Sequence, residues 1–322
     1  MLDTLLNPYH LQILMFILIN CILGISVYIT LSTGQLTLGN AGFMSVGAYV
    51  SALLTLKFDL PIFLAVIVAG VAACIVASVI GIPTTRLQGL YLAIATIGFG
   101  EIVRVIILNM KVTNGALGLS GIPAIGISLT NTLSDFGINL YEMGLEPQTV
   151  GNVAVVLLLL AIVIALTFFY LRLHNSRVGR AFAAIKDDEH AAEVSGVDTV
   201  YYKLLAFFIC AFLAGVAGAL YAHVTFYIDP KDFSYHRAVE ILLFAVFGGS
   251  NVIWGPLLGA VILTILPEAL RVVADYRDMI YGIILVLMMI FRPHGILTEE
   301  LVATIKKTIF GKGGKCGEGG DN

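Results

Sequence analysis

The chain has 322 residues, of which 59% are hydrophobic and 12% are charged, and its formal net charge is -3. A water-soluble domain carries charge on about a quarter of its residues. This composition therefore excludes a soluble globule and predicts an integral membrane protein. The basic residues form no stripe with interleaved aromatic residues, so nucleic acid is not an expected partner. The four cysteines show neither metal-ligand spacing nor a disulfide framework, and we predict no metal site.

Apolar segments recur along the whole chain. A membrane-spanning helix needs about 20 mostly apolar residues. Clear candidates are the segments 11–31, 62–82, 150–172, 203–223 and 256–274. Shorter or glycine-interrupted candidates are the segments 42–57, 88–109, 237–249 and 278–292. The predicted fold class is all-α: a polytopic helical membrane protein with about eight to ten transmembrane or re-entrant helices.

The first unusual element is residues 31–49, LSTGQLTLGNAGFMSVGAY, where glycines and small polar residues lie between two apolar runs. The string lacks the lysine of a phosphate-binding loop, and no such motif occurs elsewhere in the chain. Unwound backbone inside a membrane is tolerated where protein surrounds it or where it lines a water-filled cavity. The stretch is therefore either a broken helix or re-entrant piece along a transport path, or a cytoplasmic turn whose small residues allow close helix packing.

Two further stretches are rich in glycine. Residues 113–126, TNGALGLSGIPAIG, are too short to span the membrane and form either a re-entrant turn or a packed extracellular loop. Residues 247–260, FGGSNVIWGPLLGA, echo the small residues of the first stretch. This echo is consistent with duplicated halves, which are common in transporters, although it rests on a handful of residues.

Ionisable residues inside apolar segments are costly and raise a functional hypothesis by default. Glu101 and Arg104 are three residues apart, as are Glu268 and Arg271. This spacing places both partners on one helix face, so we predict local intramembrane ion pairs. No succession of acidic or histidine residues suggests a proton relay. His223 is predicted to lie at a membrane interface rather than to act as a ligand.

Basic residues indicate the orientation in the membrane. They are concentrated in the connection 172–203 and in the tail after residue 291, which are predicted to be cytoplasmic. The connection 110–149 has a single lysine and is predicted to face outward, which also places the N-terminus outside. We predict one transmembrane permease domain over residues 1–297. Residues 298–322 form a cytoplasmic tail, disordered near its glycine-rich end.

The cytoplasmic loop 173–202 is the most informative polar region. Ser176 is suited to cap a short amphipathic helix. Asp187 and Asp188 are suited to open a second helix, because their charge complements its N-terminal dipole. Gly196 is suited to end that helix in the left-handed conformation. Two charged helices beside the membrane favour a docking site for a cytoplasmic partner over a plain solvated connector.

Residues 11–297 resemble the permease subunits of branched-chain amino-acid ABC importers, the LivM type in particular. Several sequence blocks in the same order carry the resemblance: LTLGNAGFMSVGAYVSALL, RLQGLYLAIATIGFGEIVR, TNGALGLSGI, SRVGRAFAAIKDDEHAAEVSGV, KLLAFFICAFLAGVAGALYA, GGSNVIWGPLLGA and FRPHGIL. The resemblance implies a type II-like permease of the bacterial inner membrane that is not itself an enzyme and binds no cofactor. It implies as partners a second homologous permease, two cytoplasmic ATPases that hydrolyse ATP, and a periplasmic amino-acid-binding protein.

The resemblance also implies that the ATPases hold a cytoplasmic helix with an EAA-and-Gly pattern. The nearest equivalent here is EHAAEVSG, which departs from the pattern because His190 intervenes. The residues predicted to couple to the ATPases are Arg177, Arg180, Asp187, Asp188, Glu189, Ala192, Glu193 and Gly196.

The expected mechanism is a switch between outward and inward opening, driven by closure of the ATPases. The residues predicted to lie along the path are Asn40, Gly42, Thr96, Gly98, Gly100 and Asn251. Two alternatives are a permease for urea or short amides and an ion-coupled secondary transporter. An intramembrane enzyme has little support, because the chain lacks the nucleophile and metal-ligand motifs of such enzymes.

Overall fold

The computed structural model describes residues 8–84, 87, 89–129, 147–249 and 252–270, together with 279, 280, 282, 283, 286 and 290. The described part is almost entirely helical. The helices are α1 (Pro8–Leu31), α2 (Asn40–Phe58), α3 (Ile62–Thr84), α4 (Leu90–Asn109), α5 (Pro147–His174), α6 (Arg177–Asp187), α7 (Glu189–Val194), α8 (Thr199–Thr225), α9 (Tyr235–Gly248) and α10 (Trp254–Ala269). Asn251, Arg271 and the tail 298–322 lie outside the described residues.

Six of the described helices, α1 to α5 and α8, are long and apolar enough to cross a membrane. The prediction of a polytopic helical membrane protein is confirmed. Segments 42–57 and 88–109 were expected to be short or interrupted by glycine, but they form unbroken helices of 19 and 20 residues. Helices α9 and α10 have 14 and 16 residues. At 1.5 Å per residue they rise about 21 and 24 Å, less than the roughly 30 Å hydrocarbon core of a bilayer.

Helix α8 lies at the centre of the bundle and packs against α1, α2 and α3. Its contact with α2 brings backbone against backbone, because a methyl group on Gly47 would overlap the carbonyl of Gly215. Small residues at such a crossing let two apolar helices approach closely where no hydrophobic force drives them together. The interpretation of the small residues as packing residues therefore holds for Gly47.

Helices α9 and α10 form an antiparallel hairpin that packs on α1. Polar side chains join the three helices. The Asn20 amide donates to Thr264 Oγ1 at 2.9 Å, and Arg237 donates to Asn20 Oδ1 at 2.6 Å. Arg237 also forms an ion pair with Glu240 at 2.7 Å. Each of these polar groups therefore has a partner within the bundle.

The two ends of the bundle carry different connections. One end, called the loop face, carries residues 175–198, and the α1–α2 connection reaches it where Gly34 packs against Lys186. The other end carries two 3₁₀ turns at Lys111–Thr113 and Gly115–Leu117 and a two-stranded antiparallel sheet that pairs Leu119 with Ile228. Residues 113–120 thus form short turns and a strand at this end of the bundle, and the choice between a re-entrant turn and an extracellular loop over residues 113–126 stays a prediction. Which end is cytoplasmic stays a prediction from the basic residues.

Candidate functional site

The loop on the loop face consists of two capped helices, as predicted. Ser176 Oγ accepts hydrogen bonds from the backbone N–H groups of Val178 and Gly179, at 3.2 and 3.4 Å. Helix α6 buries Phe182 and Ile185 against the bundle, while Arg177 and Arg180 are exposed. The apolar side of α6 therefore fixes it to the membrane domain and leaves its charged side in solvent.

Helix α7 begins at a second side-chain cap. Asp188 Oδ1 accepts from the N–H groups of His190 and Ala191, at 2.9 and 3.0 Å. The helix ends at Gly196, which has a φ of 85°. The N–H groups of Gly196 and Val197 donate to the carbonyls of Glu193 and Ala192, the pattern of a glycine-terminated helix end. Asp188 and Gly196 thus lie at the two ends of this helix as predicted, but Asp187 does not help to open it, because it is the last residue of α6.

An ion pair attaches α7 to α8. Lys203 Nζ lies 2.5 Å from Glu189 Oε1, and Lys203 is only 5% exposed. Ala192 is also buried, at 3%. A buried ammonium is costly unless a carboxylate pairs with it. Glu189 and Ala192 thus hold α7 to the bundle, with the Glu189 side chain still partly exposed.

The other predicted coupling residues are exposed. They are Arg177, Arg180, Asp187, Asp188, Glu193 and Gly196. Arg177, Arg180 and Gly196 also line a groove of about 450 Å³ between α6 and the α7–α8 turn. Beside Glu193, Val194 is 91% exposed at the end of α7. Val194 and the charged residues beside it thus form an exposed part of the loop face.

A second site lies inside the bundle, where the α1–α2 connection meets α4. Residues 32–39 are not helical, and most of them are buried. The Leu38 N–H donates to Thr96 Oγ1 at 3.0 Å, and Thr30 and Thr37 hydroxyls lie 3.1 Å apart. Buried backbone must find such partners because no water reaches it. The interpretation of an unwound piece buried in protein holds for residues 32–39.

Asn40 begins α2 deep in the bundle. Its Nδ2 donates to Ser26 Oγ at 3.0 Å, and Cys210 Sγ donates to its Oδ1 at 3.3 Å. Cys210 is the twelfth residue of α8, about 17 Å from the start of that helix at 1.5 Å per residue. The non-helical stretch therefore runs from the loop face to about the middle of the membrane domain.

The structure brings four of the six predicted path residues to this junction. Thr96 and Asn40 hold the connection, and a methyl group on Gly42 would come within 2.9 Å of Gly100 Cα. Gly98 lies apart, on the exposed side of α4, with no atom within 4 Å of where a methyl group would stand. The junction is closed in this structure: Asn40 and Thr96 are 1% and 0% exposed.

Three buried polar atoms in the α1–α2 connection and along α2 lack a hydrogen-bond partner among the residues that the structure describes. They are Gln35 Oε1, Ser45 Oγ and Tyr49 Oη. Each such atom costs about 1–3 kcal/mol relative to a satisfied one. A native structure that keeps this cost invites a functional explanation.

The intramembrane charges are paired, as far as they are described. Arg104 Nε donates to Glu101 Oε1 at 2.9 Å, which confirms the predicted local ion pair. Glu268 accepts a hydrogen bond from the Tyr9 hydroxyl, whereas its predicted partner Arg271 is not described. Within the described ranges, no three His, Cys, Asp or Glu side chains are placed to hold a metal ion.

His223 lies in the last turn of α8, and its place at a membrane interface stays a prediction. The residue is fully buried. Its Nδ1 lies 2.9 Å from the Pro123 carbonyl and its Nε2 lies 2.8 Å from Ser51 Oγ. A carbonyl only accepts, so Nδ1 donates and Nε2 accepts from the serine. The histidine therefore joins α8 to α2 and to the loop before residue 125.

A family model described as the permease component of branched-chain amino acid transport systems matches residues 9–290. The chain belongs to this permease family. It is 35% identical over 282 residues to the high-affinity branched-chain amino acid transport permease LivM of Escherichia coli K12, covering 85% of this chain and 66% of that protein. The chain thus spans slightly under two thirds of the length of this relative.

Other permeases are similar over different shares of the chain. The LivH permease of Escherichia coli K12 is 32% identical over 145 residues, 44% of this chain and 46% of LivH. A probable LivM permease of Methanocaldococcus jannaschii is 24% identical over 277 residues, 79% of this chain and 74% of that protein. No solved structure matches the chain.

Sequence reasoning missed four residues of this permease that the structure places at the two sites. Lys203 carried a visible signal, since it is a lone charge in the first turns of an apolar helix. Val194 carried a weaker one, as an apolar residue at the end of a charged helix. Ser45 and Tyr49 carried none, because an isolated serine or tyrosine in an apolar helix is usually satisfied by its own backbone or a neighbour.

Proposed function

We propose that this chain is the transmembrane permease subunit of an ATP-binding-cassette importer that moves branched-chain amino acids across the bacterial inner membrane. Family membership and the similarity to LivM and LivH support this function. The chain supplies one half of the membrane domain, over residues 1–297, and a second homologous permease supplies the other. Two cytoplasmic ATPase subunits hydrolyse ATP, and a periplasmic protein delivers the amino acid. This chain binds no cofactor itself.

The attachment of α7 to α8 is the observation that carries the mechanism. Closure of the ATPases moves α6 and α7, and the Glu189–Lys203 ion pair transmits this motion to α8. The rings of Phe182 and Tyr202, with centroids 6.3 Å apart, form a second link between α6 and α8. Because α8 packs on α1, α2 and α3, its displacement alters the centre of the bundle.

The ATPase contact is the exposed side of the same loop. Its polar part consists of Arg177, Arg180, Asp187, Asp188 and Glu193. Val194 supplies an apolar contact. Because Gly196 ends α7, Val194 lies at the C-terminal end of that helix. A desolvated apolar residue within a charged rim is the usual composition of a protein interface. Glu189 and Ala192 act inside the loop, as the attachment to the bundle.

Both permeases line the passage for the amino acid, and the proposed contribution of this chain is the junction of the α1–α2 connection with α4. Asn40, Gly42, Thr96 and Gly100 are its proposed residues within the described bundle. Gly98, on the exposed side of α4, and Asn251 are the remaining candidates. A tight substrate site is not required here, because the delivering protein selects the amino acid.

Reconstitution tests this function. Vesicles that contain this chain, its partner permease and the two ATPases should accumulate leucine, isoleucine or valine only with ATP and the loaded binding protein. Val194→Asp should lower uptake at least 5-fold while the assembled complex is retained, because a charge in a desolvated contact is costly. Val200→Asp, on an exposed α8 side chain next to the loop, is the matched control. Unchanged ATP-driven uptake by the Val194 variant would reject the docking role of α7.

The same vesicles separate the alternatives. A permease for urea or short amides would be inhibited when these compounds compete for the binding protein, and leucine would not compete. An ion-coupled secondary transporter would accumulate solute with this chain alone under a sodium or proton gradient. The similarity to LivM and LivH supports neither alternative. Uptake driven by an ion gradient in the absence of ATP would overturn the proposed function.

A further inference from the structure

One side of α4 carries a charged residue in the middle of a membrane-spanning helix. Ile94, Gly98, Glu101 and Val105 recur every three or four residues, so they share one helix face. Three of them are exposed, and the Glu101 side chain is 42% exposed. Glu101 is the twelfth of the twenty residues of α4, about 17 Å from its start at 1.5 Å per residue. We call these four residues the open face of α4.

The opposite side of α4 is closed against its own bundle. Thr96 is fully buried, and Gly100 lies so close to α2 that a methyl group on Gly42 would come within 2.9 Å of its Cα. At Gly98, by contrast, no atom lies within 4 Å of the place where a methyl group would stand. The open face is therefore directed away from the described bundle, and Glu101 lies at its centre.

The ion pair of this face differs from the other pair within an apolar helix. Arg237 binds Glu240 of its own helix and also donates to Asn20 of α1, so that pair joins two helices. Arg104 donates from Nε and Nη2 to a single oxygen, Oε1 of Glu101. Among the described residues, no hydrogen bond connects Glu101 or Arg104 to another helix. Linking helices therefore does not account for this pair.

A lipid environment does not fit this pair either. Charged side chains within spanning helices face a bundle interior or a water-filled cavity, because hydrocarbon cannot solvate them. An arginine near the end of a spanning helix can extend toward the membrane surface. Arg104 lies five residues before Asn109, the last residue of α4, yet it bonds to Glu101, which is closer to the middle of the helix. The open face therefore fits a border with water.

The chemistry of the open face matches a branched-chain amino acid. A guanidinium such as that of Arg104 binds a carboxylate through two parallel hydrogen bonds, and a carboxylate such as that of Glu101 accepts from an ammonium. The four charges alternate in sign, so each keeps an opposite partner while the amino acid is bound. Gly98 leaves space beside the pair, and Ile94 and Val105 offer apolar contacts to an aliphatic side chain.

We propose that the open face of α4 borders the water-filled passage between the two permeases, and that Glu101 and Arg104 bind the ammonium and carboxylate groups of the passing amino acid. This inference rests on the proposed function. It adds a second contribution of this chain, on the side of α4 opposite to Thr96 and Gly100. When the amino acid leaves, the two side chains pair with each other again, as they do in this structure.

Removing both charges together tests the role. In the reconstituted importer, the double variant Glu101→Leu with Arg104→Leu should lower ATP-driven leucine uptake about 5-fold or more, because bonds to charged groups are lost. Its thermal unfolding temperature in detergent should stay equal to or above that of the parent. The same double replacement of Arg237 and Glu240 should instead lower that temperature, because Asn20 loses a partner. Undiminished uptake by the Glu101 and Arg104 double variant would overturn the proposal.

Labelling of single cysteines tests the water-filled border directly. The four native cysteines are first replaced by alanine, and then Gly98→Cys or Ile75→Cys is introduced. Ile75 is exposed on α3, and both positions lie about 12–14 Å from the loop-face ends of their helices at 1.5 Å per residue. During ATP turnover, a negatively charged thiol reagent should modify position 98 about 10-fold faster than position 75, because such a reagent does not enter hydrocarbon.

The two experiments separate this inference from the proposed function. If the parent complex accumulates leucine with ATP but position 98 is modified no faster than position 75, the proposed function stands and the open face does not border the passage. If the parent complex shows no ATP-driven uptake but position 98 is still modified faster, the water-filled border stands and the proposed function fails.

Discussion

Two polar segments of this molecule touch each other, yet they are stabilised in opposite ways. The loop 175–198 lies at the surface, and each of its helices begins at a side-chain cap, Ser176 or Asp188. The connection 32–39 is buried, and α2 begins at Asn40 without any side-chain cap. The Leu38 N–H donates instead to Thr96 of α4, and Asn40 accepts from Cys210 of α8. The first residues of the connection donate to the last carbonyls of α1, and Gln35 Oε1 has no partner among the described residues.

The difference follows from the surroundings of each segment. At the surface, water satisfies whatever the local caps leave open, so short-range sequence signals determine the structure. Inside the membrane domain the protein itself must satisfy the backbone polar groups, and beyond the end of α1 the partners of Leu38 and Asn40 lie on other helices. The buried connection therefore depends on tertiary packing, and its substitutions should be more costly than those in the loop.

The largest effect is expected where α2 meets α8. Gly47→Leu should prevent the chain from folding, because even a methyl group there overlaps the backbone of Gly215. Gly98→Leu should leave the fold intact, since nothing lies within 4 Å of that position. The yield of monodisperse protein in mild detergent measures both. Equal yields would show that the α2–α8 contact does not hold the connection in place.

A smaller loss is expected at the ion pair between the loop and the bundle. Glu189→Ala leaves the buried Lys203 ammonium unpaired, and we expect a loss of about 2 kcal/mol in unfolding free energy. This is below the 3–5 kcal/mol of a fully buried pair, because Glu189 remains partly exposed. Glu193→Ala, on an exposed side chain of the same helix, should cost less than about 0.5 kcal/mol. Chemical denaturation in detergent measures both losses. Equal losses in the two variants would contradict the attachment of α7 to α8 by this ion pair.

The buried connection is expected to lose about 1–3 kcal/mol when one distant partner is removed. Thr96→Val keeps the shape of the side chain but leaves the Leu38 N–H without its acceptor. Thr55→Val is the control, because its hydroxyl bonds only to the backbone of its own helix. The measurement is the thermal unfolding temperature of each variant. A Thr96 variant as stable as the Thr55 variant would contradict the role of Thr96 as acceptor for the Leu38 N–H.

The smallest effect is expected at a helix cap on the surface. Asp188→Ala should destabilise α7 by about 1 kcal/mol, because two backbone N–H groups lose their acceptor. Asp187→Ala, one residue earlier and equally exposed, should change little. Hydrogen exchange of the α7 amides measures this local effect. A larger effect at Asp187 than at Asp188 would refute the assigned cap.

The sequence was sufficient to predict the surface loop almost residue by residue. Ser176 and Asp188 lie at helix starts and Gly196 at a helix end, where short-range preferences decide the conformation. It was also sufficient for most of the spanning helices, because length and hydropathy determine them. It underrated segments 42–57 and 88–109, which are unbroken helices, and it overrated segment 256–274, whose described helix α10 has 16 residues. The Glu101–Arg104 pair followed from its spacing alone.

The buried site could be predicted only in outline. The sequence predicted four path residues that the structure brings together: Asn40, Gly42, Thr96 and Gly100. Their hydrogen-bonding and packing partners could not be predicted, because these partners lie on other helices. Gly42 and Gly47 looked like interruptions, yet the backbone continues through them since other helices pack close against them. The partners of the His223 ring, Ser51 and Pro123, could not be predicted either, because neither lies near it in sequence.

The same histidine fixes the relative positions of three elements. Both ring nitrogens of His223 are committed, one to the Pro123 carbonyl and one to the Ser51 hydroxyl. Replacing the ring by an apolar side chain would leave both of these buried groups without this partner. The imidazole therefore couples the position of α2 to that of the loop at Pro123, and neither can shift relative to α8 without loss of one of these bonds.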